Sequence, residues 1–277
     1  MKIKHLLCFI ALCLFFTPGK AQQLSVMTLR NGATVYIWED KSKPDVFGMI
    51  AFKVGSVDDP EQYTGLAHYL EHVMFKGTQT IDALDWEKEK PIYEKIIAKY
   101  DERAALSDPA AREAIDKEIN DLTREAAQYA AGNEFSLLVD HMGGQGLNAS
   151  TGYDQTEYHN SFPPSQLEKW LEIYSERLID PVFRGFQTEL EAVYEEYNMY
   201  NDDRGSRMRE FIYEQAFGDH PYARPIIGLP EHLKNPQLSK LIDFYNTWYG
   251  PQNMSIILVG NIDAKEAIPM IRDKFER

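Results

Sequence analysis

The pentapeptide His68-Tyr69-Leu70-Glu71-His72, set within the run Thr64 to Thr78, constrains this chain more than any other stretch. Leu66, Leu70, Val73 and Met74 recur at helical spacing, so the run reads as a short buried helix with Thr64 as N-cap and Gly77 as C-cap. Residues four apart share a helix face, which sets His68 beside His72. Two imidazoles so placed can hold one zinc ion, and Glu71 can address a metal-bound water without being a ligand. On a solvated helix such a pair would be a surface accident. The apolar neighbours argue against that, because polar groups on a buried helix need partners.

The chain begins with lysines at 2 and 4, an apolar run from Leu6 to Phe16 and the small residues Gly19 and Ala21. That order describes a secretory signal peptide over residues 1–21, too short to span a bilayer, and places the mature protein across the inner membrane, in the periplasm. Both cysteines, Cys8 and Cys13, fall in the leader. A mature chain over 22–277 would therefore bind zinc through histidine and carboxylate alone, without disulfides. The formal net charge of −14 makes nucleic acid a poor partner, and no second apolar segment is long enough to cross a membrane.

Leu24 to Arg30 and Ala33 to Glu39 alternate as strands, joined by Asn31-Gly32 as a type I′ turn, and Phe47 to Val54 reads as a third strand. From about 81 to 132 the chain turns charged and helical around a break at Ser107-Asp108-Pro109, which predicts an inserted helical hairpin, solvated or extended as an arm. Asn133 is placed as the cap of a helix ending near Gly143-Gly144, and the glycine-rich run to Gly152 as a turn into paired strands. Helices are expected over Ser165 to Leu178, from about Gln187 to Phe217 with a break near Asp203-Arg204-Gly205, and over Leu238 to Trp248. Ser255 to Val259 reads as an inner strand, and Asp263 as the cap of the last helix. His220 lies in a loop of prolines and glycines and is given a structural role.

A catalytic zinc takes three protein ligands, so two histidines need one more donor. The glutamate-rich helix is the rigid element best able to supply it. Glu189 and Glu196 lie two turns apart and face the same way, so one can bind metal while the other supports the site. Glu195 would point elsewhere.

The run Gly65-Leu-Ala-His-Tyr-Leu-Glu-His-Val-Met-Phe-Lys-Gly-Thr78 resembles the pitrilysin family of inverzincin metallopeptidases. So do the stretches Gly143 to Thr151, Glu189 to Glu196, His220 to Gly228 and Asn253 to Asn261. The resemblance implies a two-layer α+β fold, a mixed sheet with helices on one face. It makes His68, His72 and Glu196 the ligands of one zinc ion per chain, Glu71 the general base and Glu189 the supporting glutamate. Asn148 and Ala149 fall on the edge strand to which, in the family, an extended peptide substrate adds its backbone.

The expected activity is zinc-dependent endopeptidase hydrolysis of peptides or small unfolded polypeptides. The alternatives are a catalytically silent assembly or processing partner of the same fold, and zinc capture without turnover. Two features depart from the family. The 81–132 insertion lengthens the path from His72 to Glu196, and this chain is expected to lack the C-terminal family domain. A homologous domain or subunit would be needed to close a chamber around substrate.

Overall fold

The structure, a computed structural model, describes residues 23–276, so the leader assigned to 1–21 lies outside it. Strands β1 (Gln23–Thr28), β2 (Thr34–Glu39) and β3 (Val46–Phe52) precede helix α1 (Leu66–Val73). Helices α2 (Trp86–Ala105), α3 (Pro109–Ala126) and α4 (Glu134–His141) follow, then β4 (Gln145–Thr151), β5 (Thr156–Phe162) and α5 (Leu167–Glu176). The chain continues through α6 (Phe186–Asp202), α7 (Arg204–Phe217), α8 (Pro230–Leu233), α9 (Leu238–Trp248), β6 (Met254–Gly260) and α10 (Ala264–Phe275).

The six strands form one open mixed sheet in the order β1-β2-β6-β3-β5-β4. β2 and β6 run parallel, and the other neighbours are antiparallel. Period-two patterning decides which face is buried: Val46, Gly48, Ile50 and Phe52 of β3 turn inward, as do Thr156, Tyr158, Asn160 and Phe162 of β5. Helix α5 lies on that face, its Trp170 stacked on Phe162 at 5.1 Å. Trp170 Nε1 and the Tyr174 hydroxyl both donate to Asn160 Oδ1, at 2.8 and 2.7 Å. Gly48 makes room for the indole, since a Cβ there would sit 2.5 Å from Trp170. On the opposite face Leu24, Val26, Tyr36, Trp38 and Val259 are exposed, which gives the expected two layers.

The β1–β2 hairpin forms, but not through a type I′ turn. Gly32 takes φ +96° while Asn31 stays at negative φ, and the Gly32 amide donates to the Leu29 carbonyl at 3.0 Å. A three-residue loop with one left-handed glycine closes the strands instead, and Asn31 Nδ2 is used to donate to the Phe275 carbonyl at 2.6 Å.

The predicted helical hairpin is α2 and α3, sealed by Ile92, Ile96 and Tyr100 against Ile115 and Ile119. It is not a free arm. Glu89, buried on α2, takes a two-pronged ion pair from Arg184 at 2.6 and 2.8 Å, and Arg184 also donates to the Lys76 carbonyl at 3.1 Å. At its base Ala83 bridges Ala130. Asn133 is left-handed (φ 64°) and does not cap α4 with its side chain. Asp82 does so instead: its Oδ1 accepts from the Glu134 amide at 2.7 Å, and Glu134 Oε2 accepts from the Asp82 amide at 2.6 Å.

The break between α6 and α7 falls at Asp203, which is extended and accepts from the Ser206 amide at 2.7 Å. The cap expected at Asp263 is also formed, to the Lys265 amide at 2.9 Å.

Candidate metal centre

Helix α1 is only eight residues long, too short to be stable on intrinsic propensity, so its ends must be held by the rest of the chain. Thr64 does not cap it: its hydroxyl lies 2.7 Å from His232 Nδ1 and accepts from the Leu229 amide at 2.9 Å. Gly65 occupies the N-cap position at φ +88°, packed backbone to backbone against Gly228. The first-turn amides go to Asp59, whose carboxylate accepts from Gly65 N at 2.7 Å and Ala67 N at 2.9 Å. Burial pushes the Asp59 carboxyl up to about 7, against the pull of those two amides and of Arg224. At the other end the helix stops at Val73 with Met74 as C-cap, before Gly77. The Met74 carbonyl accepts from Arg177 Nε at 3.0 Å. Arg177 is 1% exposed and lies 4.2 to 4.5 Å from the rings of Tyr158, Phe75 and Phe135, a buried cation at the negative end of the helix.

Helix α6 lies alongside, fixed by the Tyr69 hydroxyl donating to the Phe186 carbonyl. The two-turn spacing therefore brings Glu189 and Glu196 to the histidines, and Glu195 is exposed. Glu196 Oε2 lies 3.6 Å from His68 Nε2 and 3.5 Å from His72 Nε2. Glu189 Oε2 lies 3.6 Å from His72 Nδ1, and its other oxygen holds Lys76 Nζ at 2.5 Å.

Among the described residues, His68, His72 and Glu196 form the group of three side chains whose ligand atoms converge closely enough for one metal ion. Tetrahedral zinc with bonds of about 2.1 Å separates its ligand atoms by about 3.4 Å, so the spacing and the nitrogen–oxygen donor set fit that ion. Electrostatics point the same way. Burial, then the charge of His72, lower His68 to about 4 and keep its ring neutral. Burial also opposes charge on His72, yet Glu189 and Glu196 together push it up to about 9. The pair of carboxylates thus calls for positive charge where they meet the histidines.

Glu71 sits one residue before His72 and, with His68 and Glu196, lines a cavity of about 280 Å³. Burial raises its carboxyl, and Thr151 opposes this by donating to Glu71 Oε2 at 2.6 Å. Thr151 ends β4, an outer strand of the sheet. Ala149 on that strand lines the cavity, whereas Asn148, on the opposite face, is exposed. His220 accepts from the Tyr222 amide at 3.1 Å and packs among aromatic rings, away from the centre. Sequence reasoning did not single out Asp59, Thr151 or Arg177. Thr151 closes the run Gly143 to Thr151 and was open to being found; the other two carry no local signal.

A family model described as insulinase, peptidase family M16, matches residues 34–90 and 122–229, and one described as the M16 inactive domain matches 237–277. The unmatched gap falls within the α2–α3 hairpin. The chain is 25% identical over 268 residues to the probable zinc protease PqqL of Escherichia coli, covering 92% of this chain and 23% of that protein. The solved first half of periplasmic PqqL superposes with a TM-score of 0.68 at 25% identity, over 92% of this chain and 47% of that one. Pitrilysin shares the fold with a TM-score of 0.67 at 22% identity, over 94% of this chain and 23% of its own. The chain thus spans about a quarter to a half of the length of these relatives. No helix among the described residues is long and apolar enough to cross a membrane.

Proposed function

Since this chain belongs to the insulinase family of peptidases, family M16, we propose that it is the metal-binding part of a zinc endopeptidase acting on peptides or small unfolded polypeptides. The observation that carries this reading is the approach of Glu196 to His68 at 3.6 Å and to His72 at 3.5 Å, all three ligand atoms lying within 4.8 Å of one another, with Glu71 lining the same cavity as His68 and Glu196. In this reading His68, His72 and Glu196 would hold one zinc ion. When bound, that ion supplies Lewis acidity and an acidified water.

The remaining work falls to the chain's own side chains. Glu71 takes the proton of the attacking water and passes it to the leaving amine. Thr151 occupies Oε2 and leaves Oε1 free for that transfer. Glu189, steadied by Lys76, fixes the ring of His72. The outer edge of β4, with Asn148 and Ala149, receives the substrate backbone as an added strand. A second homologous half closes the chamber, as the partial coverage of the relatives supports. The 81–132 hairpin is an insertion into this unit, in line with the gap in the family match. The location is the periplasm, the compartment given for PqqL.

The test uses the full-length protein, assayed for zinc content and for cleavage of a fluorogenic peptide. One zinc ion per chain is expected, with turnover that Glu71→Gln abolishes while metal is retained. Zinc without turnover would instead mark a silent partner, and failure to bind zinc would reject the centre itself.

A further inference from the structure

Helix α7 has no buried residue, so core packing does not explain where it sits. Two anchors do. Asp203 caps its start, and at its far end Tyr213 stacks on Tyr153 at 5.3 Å while Phe217 meets Tyr222 edge-on at 5.2 Å. Tyr222 in turn donates to Asp154 in the β4–β5 turn. The helix is thereby held across the metal centre from β4, as the facing wall of the same cavity of about 280 Å³.

That wall carries Arg209, the one Lys or Arg lining the cavity among the described residues. The ionisable side chains around it are otherwise Glu71, Glu196, Glu210, His68 and two tyrosines. Arg209 is exposed and, among the described residues, makes no ion pair within 4.0 Å and no hydrogen bond, although the capping Asp203 and its neighbour Glu210 feel its charge. A guanidinium is a rigid fork of donors shaped for a carboxylate. In this acid-rich cleft it faces the edge along which a peptide would lie.

We infer that Arg209 is a specificity-determining residue that receives a carboxylate of the bound peptide, an acidic side chain close to the scissile bond. The inference rests on the peptidase reading and narrows its substrate class. Because α7 buries no side chain, substitution at 209 alters charge at the cleft without disturbing the core.

The test measures both binding and cleavage with the zinc-loaded full-length protein. Fluorescein-labelled peptides carry one aspartate moved position by position, each matched to its asparagine and lysine counterparts. Glu71→Gln protein is titrated by anisotropy, and the parent is assayed for kcat and KM. Aspartate at one position should bind about fivefold tighter than asparagine, as for a partly exposed ion pair. Arg209→Glu should reverse the order and favour lysine there, whereas Arg209→Lys should keep the acidic preference. A preference that follows the C-terminus and disappears on amidation would mean that the carboxylate read is the terminal one and would overturn the side-chain assignment. Equal handling of aspartate and asparagine at every position, or a preference unmoved in Arg209→Glu, overturns the inference while leaving peptidase activity standing. Zinc-loaded protein that neither binds nor cleaves any peptide overturns the peptidase reading, and this inference with it.

Discussion

Asp59 pits two physical effects against each other, and the winner can be measured. Two helix-terminal amides at 2.7 and 2.9 Å and the nearby Arg224 favour the carboxylate; burial at 5% exposure favours the neutral acid. Burial prevails, moving the group from 3.8 to about 7. Between those two values the folded chain keeps a proton that the unfolded chain has released. The group's contribution to stability is therefore complete below pH 3.8, declines as pH rises to about 7, and is constant above. Across that interval the decline amounts to roughly 4 kcal/mol, of which about 3 kcal/mol falls above pH 5. Asparagine keeps one acceptor for the amides and does not titrate.

Asp59→Asn should thus be the less stable protein at pH 5, by about 1 to 2 kcal/mol for the lost amide partner. Its deficit should shrink or reverse at pH 8, because only the parent weakens through this group. Urea unfolding of both full-length proteins at both pH values, followed by tryptophan fluorescence with chelator throughout, gives four free energies. Their double difference cancels every other titrating group. A value near zero, or a parent that gains on the variant as pH rises, would show that the carboxylate stays charged and that the helix amides outweigh burial.

Thr151→Val removes the donor on Glu71 at constant shape; turnover should fall about tenfold with zinc content unchanged, and Thr151→Ser should restore it. Glu189→Gln should weaken zinc by about ten- to hundredfold in competition with a chromophoric chelator; unchanged affinity would remove Glu189 from the centre. Gly228→Ala should destabilise by about 2 to 3 kcal/mol, read as a fall in Tm, because φ is +91° and the new Cβ would lie 2.5 Å from the Thr64 carbonyl oxygen.

The parts of this molecule that repeat with a period were legible in its sequence. Strand alternation gave β1 and β2 and short apolar runs gave β3 and β6; helical spacing put His68 with His72 and Glu189 with Glu196, and structure brought the two pairs together. Parts decided by partners far along the chain were not. Thr64 has the chemistry of a cap, but residues 229 and 232 take its hydroxyl, and Asp59 caps in its place. Asn133 likewise yields to Asp82, and Asn31 spends its amide on the last helix. Charge at i, i+4 spacing made α2 look solvated, because nothing local marks Glu89 as the partner of Arg184. Arg177 is the extreme case, a charged residue legible only as surface until its aromatic box is built around it.

The Asp82–Glu134 clasp brings the two ends of the helical hairpin together, one residue lying before α2 and the other after α3. The closure is made by residues outside both helices, so it does not draw on the length of chain between them. What the detour adds is a second grip on the core: the Glu89–Arg184 pair reaches the Lys76 backbone, and Lys76 steadies Glu189. A strain applied to the outer end of the hairpin would therefore be felt one side chain away from His72.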